Sequence, residues 1–167
     1  METGEKRLCG QQAVWEYEED KGRLIIQGVG TMEDYTETEQ VPWNALIQEI
    51  KTVVIRNGIT TVGDYAFAGC SSLQEVTLPG SVEIVGVFSF KGCTGLKEIV
   101  IPEGVRVLAS KAFQFCSALK KVYLPSTLTD VDMRVFGKCE SLEEVIYQGS
   151  EKQWEQIMIS RSASDNQ

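Results

Sequence analysis

The side chains with chemistry to offer are five cysteines, and their spacing is regular: Cys70, Cys93, Cys116 and Cys139 stand 23 residues apart, with only Cys9 outside the series. A thiolate can attack a carbonyl, ligate a metal or enter a disulfide. Each role needs a partner. The 167-residue chain contains no histidine, which removes Ser-His-Asp and Cys-His nucleophile systems, His-ligated zinc and the side chain best suited to proton transfer at neutral pH. Structural zinc uses paired short spacings, whereas a uniform 23-residue step presents one thiol at a time. Disulfides want Cβ atoms about 3.8 Å apart, closer than strands stacked at about 4.8 Å bring them. The four are therefore expected to be buried thiols acting as small apolar fillers. Cys9, near a terminus and unpaired by count, reads either as an accessible thiol or as part of an N-terminal core.

The same step governs the elements that position these thiols. Leu73, Leu96, Leu119 and Leu142 keep it, as do Val76, Ile99, Val122 and Val145, and Leu78, Ile101, Leu124 and Tyr147. So do Pro79, Pro102 and Pro125, the column Val62, Val85, Leu108 and Val131, and the column Phe67, Phe90, Phe113 and Phe136. Ile50, Val53 and Ile55 carry the register one unit further back. A fixed period of this length marks a repeat architecture. In each unit the opening leucine and the branched residues behind it read as a short strand, and proline, which has no N–H for a ladder, stops it. The apolar residues beyond must turn inward from a coiled return path. One unit cannot bury its own apolar face, but stacked copies bury a continuous core. The expected fold is an α/β leucine-rich-repeat solenoid: five stacked coils of 23 residues, with strands of one parallel sheet beginning near residues 50, 73, 96, 119 and 142.

An open stack needs caps at both ends. Residues 13–29 read as a β-hairpin, Ala13 to Tyr17 and Arg23 to Gln27 around a Glu-Asp-Lys-Gly turn, and the acidic stretch from Thr31 to Gln40 as loop. Pro42 is expected to open a short amphipathic helix that turns Trp43, Leu46, Ile47 and Ile50 toward the first coil. At the other end Ser150 to Gln153 has the pattern of a capping box, starting a helix whose Trp154, Ile157 and Met158 cover the last coil, before a polar tail from Ser160. The whole of 1–167 is thus read as a single domain, with an N-terminal cap over 1–49, repeats over 50–147 and a C-terminal cap and tail over 148–167.

Leu119 to Pro125, followed by Leu128, Val131, Phe136 and Cys139, resembles the BspA-like leucine-rich repeats of bacterial surface proteins, and Asp64 to Leu73 lies close to that consensus. The flanks around Trp15, Pro42-Trp43 and Tyr147 to Trp154 are similar to the end segments of such proteins. The resemblance implies a leucine-rich-repeat fold, export to the cell surface, adhesin-like use, and neither catalytic residues nor a cofactor. The segment from Met1 to Arg7 has no apolar core behind its charges and is not expected to be an export leader, so cytoplasmic residence and a trimmed exported form both fit the residues. No run is long and apolar enough to span a bilayer, and a net charge of −8 disfavours a nucleic-acid partner or membrane insertion.

Where, then, would a partner bind? Within each strand the third and fifth positions point away from the core. The fifth-position column is Val54, Thr77, Val100, Tyr123 and Ile146, an apolar stripe with one tyrosine. Beside it run Thr52, Glu75, Glu98, Lys121 and Glu144, a stripe dominated by carboxylates. Such a face suits a protein partner, for example a host surface protein, with Tyr123 as its anchor; strand propensity alone also accounts for the branched residues. Two other readings stand beside it: a structural spacer that self-associates through a cap or sheet edge, and carbohydrate binding by Trp15, Trp43 and Trp154, which all fall in the caps and fit core-sealing better. The acidic runs lack calcium-loop spacing, and Gly28-Val29-Gly30 lacks the third glycine and helix of a dinucleotide loop. The expectation is a non-catalytic recognition module.

Overall fold

The computed structural model describes residues 7–157. Two antiparallel strands, β1 (Ala13–Glu18) and β2 (Arg23–Gly28), form the expected hairpin, with Ala13 opposite Gly28. β2 has a second neighbour. It pairs in parallel with β4 (Thr52–Ile55), Arg23 beside Thr52 and Ile26 beside Ile55, so the hairpin supplies a first coil without the repeat sequence. The remaining repeat strands are β6 (Glu75–Thr77), β8 (Glu98–Val100), β10 (Lys121–Leu124) and β12 (Glu144–Tyr147), at the five expected places.

The return path is more ordered than the sequence suggests. β3 (Gly30–Thr31), β5 (Ile59–Val62), β7 (Ile84–Val85), β9 (Val107–Leu108) and β11 (Asp130–Val131) form a second parallel sheet, unbroken along the stack. The first sheet, expected to be continuous, is not. It divides into β1-β2-β4-β6 and β8-β10-β12, with no ladder between β6 and β8. Just before β8, at Gly95, the chain runs so close to the Ser71 and Leu73 carbonyls that a Cβ would lie 2.9 and 3.0 Å from them. The N-terminal cap also differs. In place of an amphipathic helix after Pro42 there are tight i→i+3 turns, with a single short 3₁₀ segment at Asn44–Leu46. Trp43 is buried and its indole N–H donates to the Ala66 carbonyl at 2.8 Å, which anchors the segment to the next coil. The inward pattern still holds: Trp43, Ile47 and Ile50 are buried, and Leu46 is half-buried. The stretch expected as loop contributes Thr31 to β3 and one 3₁₀ turn at Thr38–Gln40.

At the far end the capping box is formed reciprocally: the Ser150 N–H donates to Gln153 Oε1 at 2.8 Å, and the Gln153 N–H to Ser150 Oγ at 3.1 Å. The helix behind it, α1 (151–157), packs Trp154 against Tyr147 and buries Ile157. Met158 and the tail from Ser160 lie outside the described residues.

The core is a ring stack beside a thiol column. Trp43, Phe67, Phe90, Phe113 and Phe136 follow one another with centroids 5.5, 5.2, 5.1 and 5.7 Å apart. Cys70, Cys93 and Cys116 are fully buried and Cys139 half-buried; Cys93, Cys116 and Cys139 each donate to the carbonyl 26 residues back, at 3.1–3.3 Å. All five thiols are free, Cys9 is buried in the N-terminal core, and no group able to hold a metal ion occurs among the described residues. Burial pushes the Cys70 thiol up to about 12; burial, then Glu33, does the same for Cys9. Two results follow. Under native conditions a soluble disulfide reagent should react with less than one thiol per chain, and with all five in denaturant; four reacting natively would refute the filler role. Above about pH 9 an unfolded thiol ionises while the folded one keeps its proton. The contribution of these thiols to stability is therefore complete below pH 9 and is lost as pH rises toward 12, which denaturant unfolding at stepped pH will measure.

Candidate protein-binding face

Alternation along each strand sends the first, fourth and sixth positions of the unit inward: Leu96, Ile99 and Ile101 are buried, as are Leu119, Val122 and Leu124. The outward positions fall where the sequence puts them. Glu75, Thr77, Glu98, Val100 and Glu144 are exposed, and Thr52, Val54, Lys121, Tyr123 and Ile146 half-buried. Register brings only some of them together. Lys121 lies beside Glu98 on one strand and Glu144 on the other, and Tyr123 beside Val100 and Ile146. Thr52 and Val54 lie beside Glu75 and Thr77, on the other side of the break in the ladder.

Around Tyr123 the surface is concave. A groove of about 650 Å³ runs over the ends of β8 and β10, lined by Val100, Pro102, Glu103, Tyr123, Pro125 and Gln148 among others. A second, of about 420 Å³, shares Val100 and Pro102 and continues across the break to Val76 and Leu78. Of the two inward residues that flank the break, Ile99 is buried like Val53 and Val122, whereas Val76 is only half-buried.

Two fixed charges frame the groove. The Lys121 ammonium lies 5.2 Å over the Tyr123 ring, and it is held above the usual lysine pKa, first by the Tyr123 hydroxyl and then by Glu144 and Glu98. Glu103 is held by Ser126, whose backbone N–H and hydroxyl both donate to its carboxylate at 2.9–3.0 Å. Pro102, Pro125, Glu103 and Gln148 are residues that sequence reasoning passed over. The proline column was visible, but as a strand terminator; its rings also form a rigid wall.

The cap tryptophans serve packing. Trp43 is buried in the ring stack, half-buried Trp15 meets it edge-on at 5.8 Å under the Arg7 guanidinium, and Trp154 lies against Tyr147.

A family model for the BspA-type leucine-rich-repeat region, in 6 copies, matches residues 45–164. The chain belongs to that family. No curated protein matches it. Among solved structures, this BspA-type chain is similar to a leucine-rich cell surface protein from Faecalibacterium prausnitzii A2-165, with TM-score 0.72 and 23% identity over 92% of this chain and 42% of that one. A leucine-rich-repeat protein from Eubacterium ventriosum follows at TM-score 0.66 and 22% identity, covering 87% of this chain and 44% of the other. The leucine-rich-repeat protein of T. pallidum gives 0.59 and 20%, over 84% and 71%. At these identities the likeness is one of fold. The BspA-type chain spans less than half the length of the first two.

Proposed function

We propose that the chain is a non-catalytic, adhesin-like recognition module, displayed at or beyond a bacterial cell surface, that binds a protein through the face of β8, β10 and β12. The observation that carries this reading is the groove centred on Tyr123: concave, walled by Val100 and two prolines, with Glu98 and Glu103 on its rim. Tyrosine supplies wide contact area at low entropic cost, and a half-buried ring flanked by an exposed valine is how an anchor is presented. The cell-surface setting rests on the description of the Faecalibacterium neighbour.

The test uses purified host surface proteins, immobilised singly and probed with the whole chain. Tyr123→Ala and Val100→Asp should each weaken any binding found by tenfold or more, with unchanged melting temperatures. Should both variants bind as wild type, this face is not the site.

A structural or self-assembling element draws on a different observation. Inward positions of the last coil are incompletely covered: Val145 is 45% exposed, whereas Val53, Ile99 and Val122 are at 0–1%. Light scattering separates the readings, since self-assembly requires a mass that grows with concentration.

A further inference from the structure

Among the described residues, five non-glycine positions have left-handed backbone: Tyr65 (φ 61°), Phe88 (56°), Lys111 (58°), Phe115 (63°) and Lys138 (61°). They occupy two columns of the repeat. Tyr65, Phe88 and Lys111 share one; Phe115 and Lys138 continue a column begun by Gly69 and Gly92, which have the same conformation. The fold imposes this backbone coil after coil, and the residues suited to it are glycine, then asparagine and aspartate. None of the five is any of these. All are aromatic or lysine. Phe115 bears a second cost, since its ring is 45% exposed where the column otherwise opens with glycine. No ring or cation contact among the described residues offsets either cost at Phe115.

Three of these side chains, Tyr65, Phe88 and Lys111, gather with Lys91. The Tyr65 and Phe88 rings lie 4.9 Å apart, and the ammonium groups of Lys91 and Lys111 lie 4.9 and 5.5 Å from the centre of the Phe88 ring. The three columns that start at Tyr65, Ala68 and Gly69 hold four cations and no carboxylate, on a chain of net charge −8. One of the four, Arg134, is paired with Asp132. The outcome is a ring-faced, cationic surface on the turns between the second sheet and the next repeat strand.

We propose that this surface binds an acidic polysaccharide, with a sugar ring stacked on the exposed Phe115 and the sugar carboxylates met by Lys91 and Lys111. A pyranose offers a flat C–H face to an aromatic ring, and an ammonium beside that ring selects for a charged sugar over a neutral one. A peptide with acidic side chains is the competing occupant, and polyglutamate represents it in the test below. Nucleic acid is disfavoured because its affinity comes mostly from many phosphate contacts, which three lysines on an acidic chain do not supply. The surface is separate from the groove around Tyr123, and the two can fail independently.

Calorimetric titration of the whole chain with hexagalacturonate tests the proposal, with maltohexaose, polyglutamate and oligothymidylate as comparisons. Hexagalacturonate is expected to bind at least tenfold more tightly than any of the three, and less tightly as salt is raised. Phe115→Gly should weaken that binding tenfold while leaving the melting temperature equal or higher. Lys91→Gln with Lys111→Gln should reduce hexagalacturonate to the level of maltohexaose, and Tyr123→Ala should change nothing. Four results would overturn the proposal: no binding of hexagalacturonate, equal binding by Phe115→Gly, equal binding of polyglutamate or oligothymidylate, or a melting temperature lowered by Phe115→Gly.

Discussion

Replacing Phe113 by alanine is expected to destabilise the protein by about 3–5 kcal/mol. Its ring lies between Phe90, at 5.1 Å and nearly parallel, and Phe136, at 5.7 Å, and it is fully buried. Alanine there removes the transfer free energy of the ring, opens a cavity and breaks the stack in mid-column. The walls of that cavity belong to adjacent coils held by backbone ladders, so they have little freedom to close in. Since domains of this size have only about 5–15 kcal/mol of stability to lose, the variant should be marginal at physiological temperature. Phe113→Leu, which keeps most of the volume, should lose less than half as much. Phe136→Ala should also be milder than Phe113→Ala, because Phe136 is already half-buried. Denaturant unfolding of the three variants measures the order. A loss below about 1 kcal/mol for Phe113→Ala would mean that the stack does not carry the core.

Gly104→Ala should cost up to about 3 kcal/mol for a different reason. Gly104 has φ 113°, and a Cβ on it would drive into the carbonyl oxygen of Gly80 on the preceding coil. The position alternates along the stack as Gly58, Ser81, Gly104 and Thr127. Ser81 Oγ accepts from the Gly58 N–H at 3.0 Å and donates to the Ile59 carbonyl at 2.7 Å; Thr127 Oγ1 does the same for Gly104 and Val105, at 3.1 and 2.7 Å. A hydroxyl on one coil thus caps the glycine of the coil before. Gly80→Ala is the control. Its Cβ meets nothing nearer than 3.4 Å and its φ is not positive, so the change should be within about 0.5 kcal/mol. Equal losses from Gly104→Ala and Gly80→Ala would show that the close approach is not what selects glycine.

The repeat was legible because its inward columns have one solution. Leucine, phenylalanine and cysteine every 23 residues can be buried only by stacking, and the five repeat strands stand where the leucines require. The second sheet was half legible. Val62, Val85, Leu108 and Val131 were visible as a column, but in the strands β7, β9 and β11 only two residues pair per coil, too few for alternation to register. The break between β6 and β8 was hidden, because Glu75-Val76-Thr77 and Glu98-Ile99-Val100 follow the same pattern as their neighbours. The pattern of inward and outward residues does not record whether neighbouring strands pair. Of the outward stripes, Glu75, Thr77, Glu98, Val100 and Glu144 are exposed and the other five half-buried. The groove over them was not legible, because proline was read for what it ends and not for the wall it builds. The left-handed backbone of Phe115 did leave a trace, in the glycines that precede it at positions 69 and 92.

The interrupted ladder has a mechanical consequence. On the opposite side of the stack the second sheet runs through without a gap, β7 bonded to β9. One side of the molecule is therefore a spine and the other carries a crease. Flexing about that spine changes the distance between β6 and β8 without breaking a backbone hydrogen bond of the first sheet, because none joins them. The groove that crosses the crease is therefore bounded on its two sides by strands that no backbone hydrogen bond joins, unlike every other neighbouring pair of repeat strands.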